Sequence, residues 1–317
     1  METACTVYTK LMFQRGLGYP LWEPEPSEGG EVLIGDIGYI LDGGFYRLFN
    51  ATLPREHPVN QRCRVPDDYE PFVYPEALLH RRPRALEPKP LCSKHVTAYS
   101  LEGSLDVGLG NPGVSGGVRF KFSEDQGAVL VLKSPGNRET LHPCRDLVQY
   151  IVQNHPAWYS FATDVCRLDV AESDIIFVAG FIKTAEWALA AATQRARECE
   201  LTFGGNVGPL TSATFSISSR REAAMSVEHR TGPHRMDSES RASDDEVVSD
   251  QCVFLHYYKF KRRKILSPKV IRAAGGPARS PSSEPPDSPS GSSPFSSLTP
   301  SSSGEETERV PLLQSAG

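Results

Sequence analysis

His142, Cys144 and Asp146 stand at alternate positions in "LHPCRD" and have the first claim to chemistry, because a thiol beside an imidazole and a carboxylate can form an activated nucleophile. A helix N-terminus favours the thiolate, and Cys144 sits where a helix is expected to begin. The same cysteine also falls on the apolar side of that helix, where Cys behaves as a small buried hydrophobe. These three are the positions to mutate if the chain is an enzyme, but they do not amount to a catalytic set.

Cys92 and His95 have the spacing of a metal half-site, with His80, Cys63 and His57 upstream. A structural zinc site usually needs two half-sites, so no metal is expected. Gly108-Leu109-Gly110-Asn111-Pro112-Gly113 matches the dinucleotide pattern by letter, yet a strand signal follows it where the pyrophosphate would need a helix N-terminus. Gly180-Phe181-Ile182-Lys183-Thr184 ends like a phosphate loop but lacks Gly directly before Lys. Asp67, Asp68 and Glu70 read as solvated loop charge. No cofactor is expected.

The one dense basic cluster is "KFKRRK", with Lys259, Lys261, Arg262, Arg263 and Lys264. It reads as a nuclear import signal, a patch for an anionic membrane surface or for nucleic acid, or a solvated strand end that discourages edge pairing. Ser267, Ser280, Ser288, Ser293 and Thr299 each precede Pro and resemble sites of proline-directed kinases; phosphate there would make the tail strongly acidic. Glu308 to Leu313, "ERVPLL", resembles an acidic dileucine signal, whose usual meaning needs a membrane protein.

The elements that must position these residues are legible in part. In "IGDIGYILDGGFYRLFNAT", Ile34–Thr52, Asp42-Gly43 supplies the positive φ of a tight turn between two strands. Trp22, in the proline-rich lead-in "GYPLWEPEP", is expected to anchor that segment to the sheet. Prolines recur from Leu53 to Pro90, which predicts an extended connection wrapping the surface. Strands are predicted at "HVTAYSLEG", "GVRFKFS", "GAVLVLKS", "DIIFVAGFI" and "QCVFLHYYKF". A helix is predicted from Glu139 to His155, with Leu141, Cys144, Leu147, Val148, Ile151 and His155 on one side, Pro143 in its first turn and Pro156 ending it. "TAEWALAAATQRARECELTF" carries helical composition, yet Trp187, Leu189 and Ala191 alternate; a hairpin is preferred.

Composition bounds the function classes. A net charge of −5 argues against a protein that coats nucleic acid. Seven scattered cysteines do not form a disulfide framework and suit a reducing compartment. The N-terminus lacks the pattern of a signal peptide, and the most apolar stretch, from Asp174, is interrupted by Lys183 and Glu186. A cytoplasmic location is expected, with the nucleus as alternative, and the sequon Asn50-Ala51-Thr52 is then silent.

"GYPLWEPEP" at 18–26, "VLIGDIGYILDGGFYRLFNAT" at 32–52 and "DQCVFLHYYKFKRRK" at 250–264 together resemble a large group of uncharacterised proteins of mushroom-forming fungi. The resemblance spans most of residues 15–264. This chain keeps Gly180, Lys183, Thr184 and Trp187 but has Phe181 and Ile182 where the relatives carry Cys-Asp. The group implies β structure after Thr184 and brings no activity with it.

The expected fold class is α+β, with a mixed, mostly antiparallel sheet, at least one packed helix and a disordered C-terminal tail. Residues 1–264 would form one domain, with the Pro-rich connection at 53–90 and a mobile insertion at 218–250, and 265–317 a disordered Ser/Pro-rich tail. The function expected is a non-enzymatic intracellular interaction module that binds an unidentified protein partner and carries a phosphorylatable tail. The alternatives are a membrane-acting, gasdermin-like pore former, motivated by 174–193 and 259–264, and an enzyme with an unrecognised site. Nothing in the sequence sets an oligomeric state.

Overall fold

The computed structural model describes residues 2–101, 117–194, 199–204, 214–219, 227–233, 248–261 and 269–273. In chain order the elements begin with helix α1 (Ala4–Phe13), strands β1 (Tyr19–Pro20), β2 (Asp36–Leu41) and β3 (Gly44–Asn50), and the short helix α2 (Pro58–Cys63). Strands β4 (Leu79–Leu86), β5 (Pro90–Cys92), β6 (Val96–Leu101), β7 (Gly117–Phe122), β8 (Gly127–Leu132) and β9 (Gly136–Leu141) precede helix α3 (Arg145–Ser160). Then come β10 (Ile176–Thr184), β11 (Trp187–Ala192), β12 (Cys199–Gly204), β13 (Thr214–Ser219), β14 (Val227–Gly232), β15 (Gln251–Lys261) and β16 (Lys269–Ala273). The fold is α+β, with antiparallel sheets.

The largest sheet is built on β15 and β10, which pair along most of their length. Each has its other edge divided between two neighbours. β15 receives β1 at Phe254–Leu255 and β16 at Tyr257–Lys261. β10 receives β2 at Ile176–Phe177 and β9 at Gly180–Lys183, with β3 beyond β2 and β4 beyond β9. The handover on β10 occurs beside a bulge between Val178 and Gly180. A Cβ at Gly180 would lie 2.5 Å from the Glu139 carbonyl oxygen, so only glycine lets β9 approach here.

Two four-stranded sheets, β14-β11-β8-β5 and β13-β12-β7-β6, pack face to face. Val129, Val131, Ala188 and Ala190 of the first meet Phe120, Phe122, Leu201 and Phe203 of the second. The opposite face of the first sheet, with Leu130, Leu132 and Leu189, packs on α1 and on Ile182 and Phe254 of the large sheet. Strands buried on both faces need no polar alternation, which explains the runs "GAVLVL" and "WALAAA".

The Asp-Gly turn is as predicted, with Asp42 at φ 49° and Gly43 at φ 86°. Trp22 is buried; its backbone N–H donates to the Gly43 carbonyl and its ring meets Tyr8 edge-on at 5.4 Å. Other expectations need correction. The predicted helix starts later, because β10 and β4 claim Glu139 to Leu141 as part of β9. Cys144 is the cap residue and Pro143 lies outside. Nor does Pro156 end it, since burial of Trp158 and Phe161 beyond the proline outweighs the single hydrogen bond it removes.

After Thr184 the chain is strand as expected, but β11 and β12 belong to different sheets and do not pair with each other. The connection 53–90 is not simply extended. It contains α2, a 3₁₀ turn at Glu76–Leu78, and β4 and β5. Within the expected insertion 218–250, Val227–Gly232 forms β14 and pairs with β11 along its whole length. Within the expected tail, 265–317, Lys269–Ala273 is β16; the remainder, 265–268 and 274–317, lies outside the described residues.

Candidate functional site

The stretch Ile34–Thr52 builds a buried polar network. Asp36 is fully buried; its Oδ1 lies 2.7 Å from Arg47 Nε and accepts from Asn50 Nδ2 at 2.8 Å, while Oδ2 accepts from the Leu33 N–H. Arg47 also donates to the Gly29 and Glu31 carbonyls, and Asn50 Oδ1 accepts from the N–H and hydroxyl of Thr52. Asn60, on α2, accepts from the Asn50 N–H and donates to the Asn50, Leu53 and Pro54 carbonyls. Burial pushes the Asp36 carboxyl above the ordinary range, and the Arg47 guanidinium draws it back. Every member holds backbone of a neighbouring loop, so the network cross-links the fold. Losing one partner of such a buried pair costs about 3–5 kcal/mol. The sequon asparagine is inside it, which closes Asn50 to glycosylation.

Next to the network a cleft of about 380 Å³ opens over β9 and β10, lined by Glu31, Thr52, Arg81, Glu139, Phe181 and Lys183 among others. Lys183 is only 5% exposed; its ammonium is 2.8 Å from Glu31 Oε2 and 3.9 Å from the centre of the Phe181 ring. Arg81 bonds Glu76 at 2.6 Å and lies 3.7 Å from Glu139. Cations and carboxylates here neutralise one another. Gly180, Lys183, Thr184 and Trp187 have structural duties: Gly180 admits β9, Lys183 holds the loop at Glu31, the Thr184 hydroxyl donates to the Ser134 carbonyl at 2.9 Å, and Trp187 Nε1 donates to Gln251 at 3.2 Å. Gly180–Thr184 lies inside β10 and is no phosphate loop, because its backbone is occupied by the sheet.

The other sequence candidates are dispersed. His57 caps α2 by accepting from the Val59 N–H at 3.3 Å, His95 Nδ1 lies 3.3 Å from Glu124, and the His80 ring faces that of His142 at 5.6 Å. Cys92 is half-buried on β5, and burial pushes its thiol up to about 11. Among the described residues no three metal-binding side chains converge. Cys144 packs partly buried against the core under α3, whereas His142 and Asp146 are exposed. Gly108–Gly113 lies outside the described residues, in the connection between the paired ends of β6 and β7.

Of the basic cluster, Lys259 lies on β15 with Nζ 3.9 Å from Asp174, and Lys261 closes the strand. The edge it was expected to protect is covered by β16. Arg262, Arg263, Lys264, Ser267, Ser280, Ser288, Ser293 and Thr299 lie outside the described residues.

A second basic run, "HRRPR" at His80–Arg84, escaped the sequence reading because its proline-rich setting pointed to a connection. It is strand β4, exposed from His80 to Arg84 and paired on one side only among the described residues. Cross-strand pairing with β9 sets His80 opposite Thr140 and Arg82 opposite Arg138 on one face, while Arg81 and Glu139 share the other, which is the cleft face. Arg84 pairs with Glu87 at 2.9 Å. The signal that could have found the strand was the basic alternation on either side of Pro83, since edge strands are where proline and charge are tolerated.

No protein-family model and no curated protein matches this chain. Among the described residues no helix is long and apolar enough to cross a membrane.

Proposed function

We propose that the protein is a non-catalytic intracellular interaction module whose contact surface is the basic β4–β9 ribbon and whose Ser/Pro-rich tail is a phosphorylation target. The observation that carries this reading is the exposed edge strand β4, with four cationic or imidazole side chains in five residues. The cleft charges, Arg81 among them, are spent on one another and Arg84 on Glu87, whereas His80 and Arg82 stand exposed on the opposite face of the ribbon. An extended acidic segment of a partner is the chemistry that fits such an edge, with the cations supplying attraction and register.

The test is titration of the full-length protein with extended acidic peptides at low and physiological salt. Binding is expected to weaken with salt and to fall at least roughly tenfold in the combined R81Q/R82Q/R84Q variant. Absence of binding at low salt would remove the reading. Flotation with anionic liposomes accompanied by dye release would instead favour the membrane-acting alternative, for which the apolar segment 174–193 would first have to leave β10 and β11, the central strands of two sheets.

A further inference from the structure

Arg82 and Arg138 lie directly opposite one another across β4 and β9, and like charges so placed repel. Neither has a carboxylate within ion-pair distance among the described residues, while the carboxylates of this ribbon are engaged elsewhere, Glu76 and Glu139 with Arg81 and Glu87 with Arg84. Arg138 is half-buried beside Ile182 of the core, and its Nε is buried without an acceptor among the described residues. Burial and the Arg82 charge both weaken its hold on the proton. Edge protection explains charge on β4. It does not explain a half-buried arginine one strand further in.

On the same face the imidazoles of His80 and His142 stand 5.6 Å apart. The row continues inward through Thr140, whose hydroxyl is 3.4 Å from Nδ1 of His256, the imidazole whose Nε2 donates to the Leu17 carbonyl at 2.8 Å. Two guanidinium groups and two imidazoles thus line one face of the ribbon, and among the described residues no carboxylate lies within ion-pair distance of either arginine. We propose that Arg82, Arg138, His80 and His142 form a phosphoryl-binding site whose ligand is a phosphorylated Ser-Pro or Thr-Pro segment of this chain's own tail. Forked guanidinium donors match phosphate oxygens two at a time, and a dianion would cancel the Arg–Arg repulsion.

The tail suits this in charge and in reach. Between Arg279 and Arg309 there is no Lys or Arg, while Glu284, Asp287, Glu305, Glu306 and Glu308 are acidic, and Ser280, Ser288, Ser293 and Thr299 precede Pro. The last residue of β16, Ala273, pairs with Tyr257, next to His256. From there to β4 are four strand spacings, about 19 Å. The seven residues from Ala273 to Ser280 extend to about 23 Å at most, and each later site reaches further.

This inference rests on the ribbon being a contact surface, and the experiment separates the two. Full-length unphosphorylated protein is titrated, by fluorescence anisotropy, with a labelled peptide of residues 282–295 carrying phosphate on Ser288, with the same peptide unphosphorylated, and with inorganic phosphate as competitor. The phosphopeptide is expected to bind roughly tenfold or more tightly than its unphosphorylated form, and R82Q, at an exposed position that leaves folding intact, to remove that preference. R138K keeps the charge of the half-buried residue and is expected to retain part of the preference. Protein phosphorylated on its own tail by a proline-directed kinase is expected to exclude the peptide. Equal binding of both peptides, each weakened by R82Q, overturns the phosphoryl site and leaves the acidic contact surface standing. No binding of either overturns both. A phosphopeptide preference that survives R82Q, or competition by inorganic phosphate at the peptide's own concentration, overturns the assignment to these residues or to the tail.

Discussion

At Tyr8 a whole side chain is buried in the layer between α1 and the sheets, yet its hydroxyl has no hydrogen-bond partner among the described residues. An unsatisfied buried hydroxyl carries its desolvation penalty with nothing in return, so Tyr8→Phe is expected to stabilise the protein by about 1 kcal/mol. A urea unfolding midpoint that moves down instead would reveal a water or partner at that oxygen. The contrast with Asp36 is instructive, because there burial is matched by Arg47, Asn50 and the Leu33 N–H. Residue identity alone distinguishes neither case. Tyr8 and Asp36 differ in what the chain brings to them: Asp36 meets Arg47 and Asn50, 11 and 14 positions further on, while the Tyr8 hydroxyl meets no partner among the described residues.

The element with most consequence for function is the β4–β9 ribbon, which hangs on β10 through the segment that begins at Gly180. Adding a Cβ at Gly180 places it 2.5 Å from the Glu139 carbonyl oxygen and 2.9 Å from Thr140 Cα, both backbone atoms that cannot swing away. Gly180→Ala is therefore expected to cost about 1–3 kcal/mol and to speed amide hydrogen exchange in β4 and β9 more than in β2 and β3. Uniform acceleration across the sheet would show that the ribbon is not a separable unit. The same ribbon shows why sequence reading fell short here. Val118, Phe120 and Phe122 announce a strand by alternating with polar residues, whereas β4 has no buried side chain between Leu79 and Leu86 and owes its strand form to β9.

On the scale of the molecule, α1 joins the large sheet to the stacked pair of sheets. Its Ala4, Val7, Tyr8 and Met12 are without exposed surface and pack with Leu130, Ile182 and Phe254. At about 1.5–3 kcal/mol for each larger apolar side chain buried, the helix contributes on the scale of a domain's whole stability. Removal of residues 2–14 is expected to abolish cooperative thermal unfolding and to cause strong binding of a hydrophobic dye. Retention of a sharp transition at the original temperature would mean that the sheets hold without it.

What the amino-acid order determined by itself is whatever rests on local chemistry. The Asp42-Gly43 turn needs positive φ, the runs at 118–122, 127–132 and 251–260 have the period or the apolarity of strands, and Trp22 is too large and apolar to stay in solvent. Tertiary structure decided the rest. It gave Glu139 to Leu141 to a strand despite their place in a helical pattern, separated β11 from β12, recruited β14 and β16 from segments without periodicity, and set Arg82 against Arg138 across 56 positions of sequence. Pairing energy and shared burial come from partners distant in the chain, so no local window contains the reason for these elements or for the ribbon they expose.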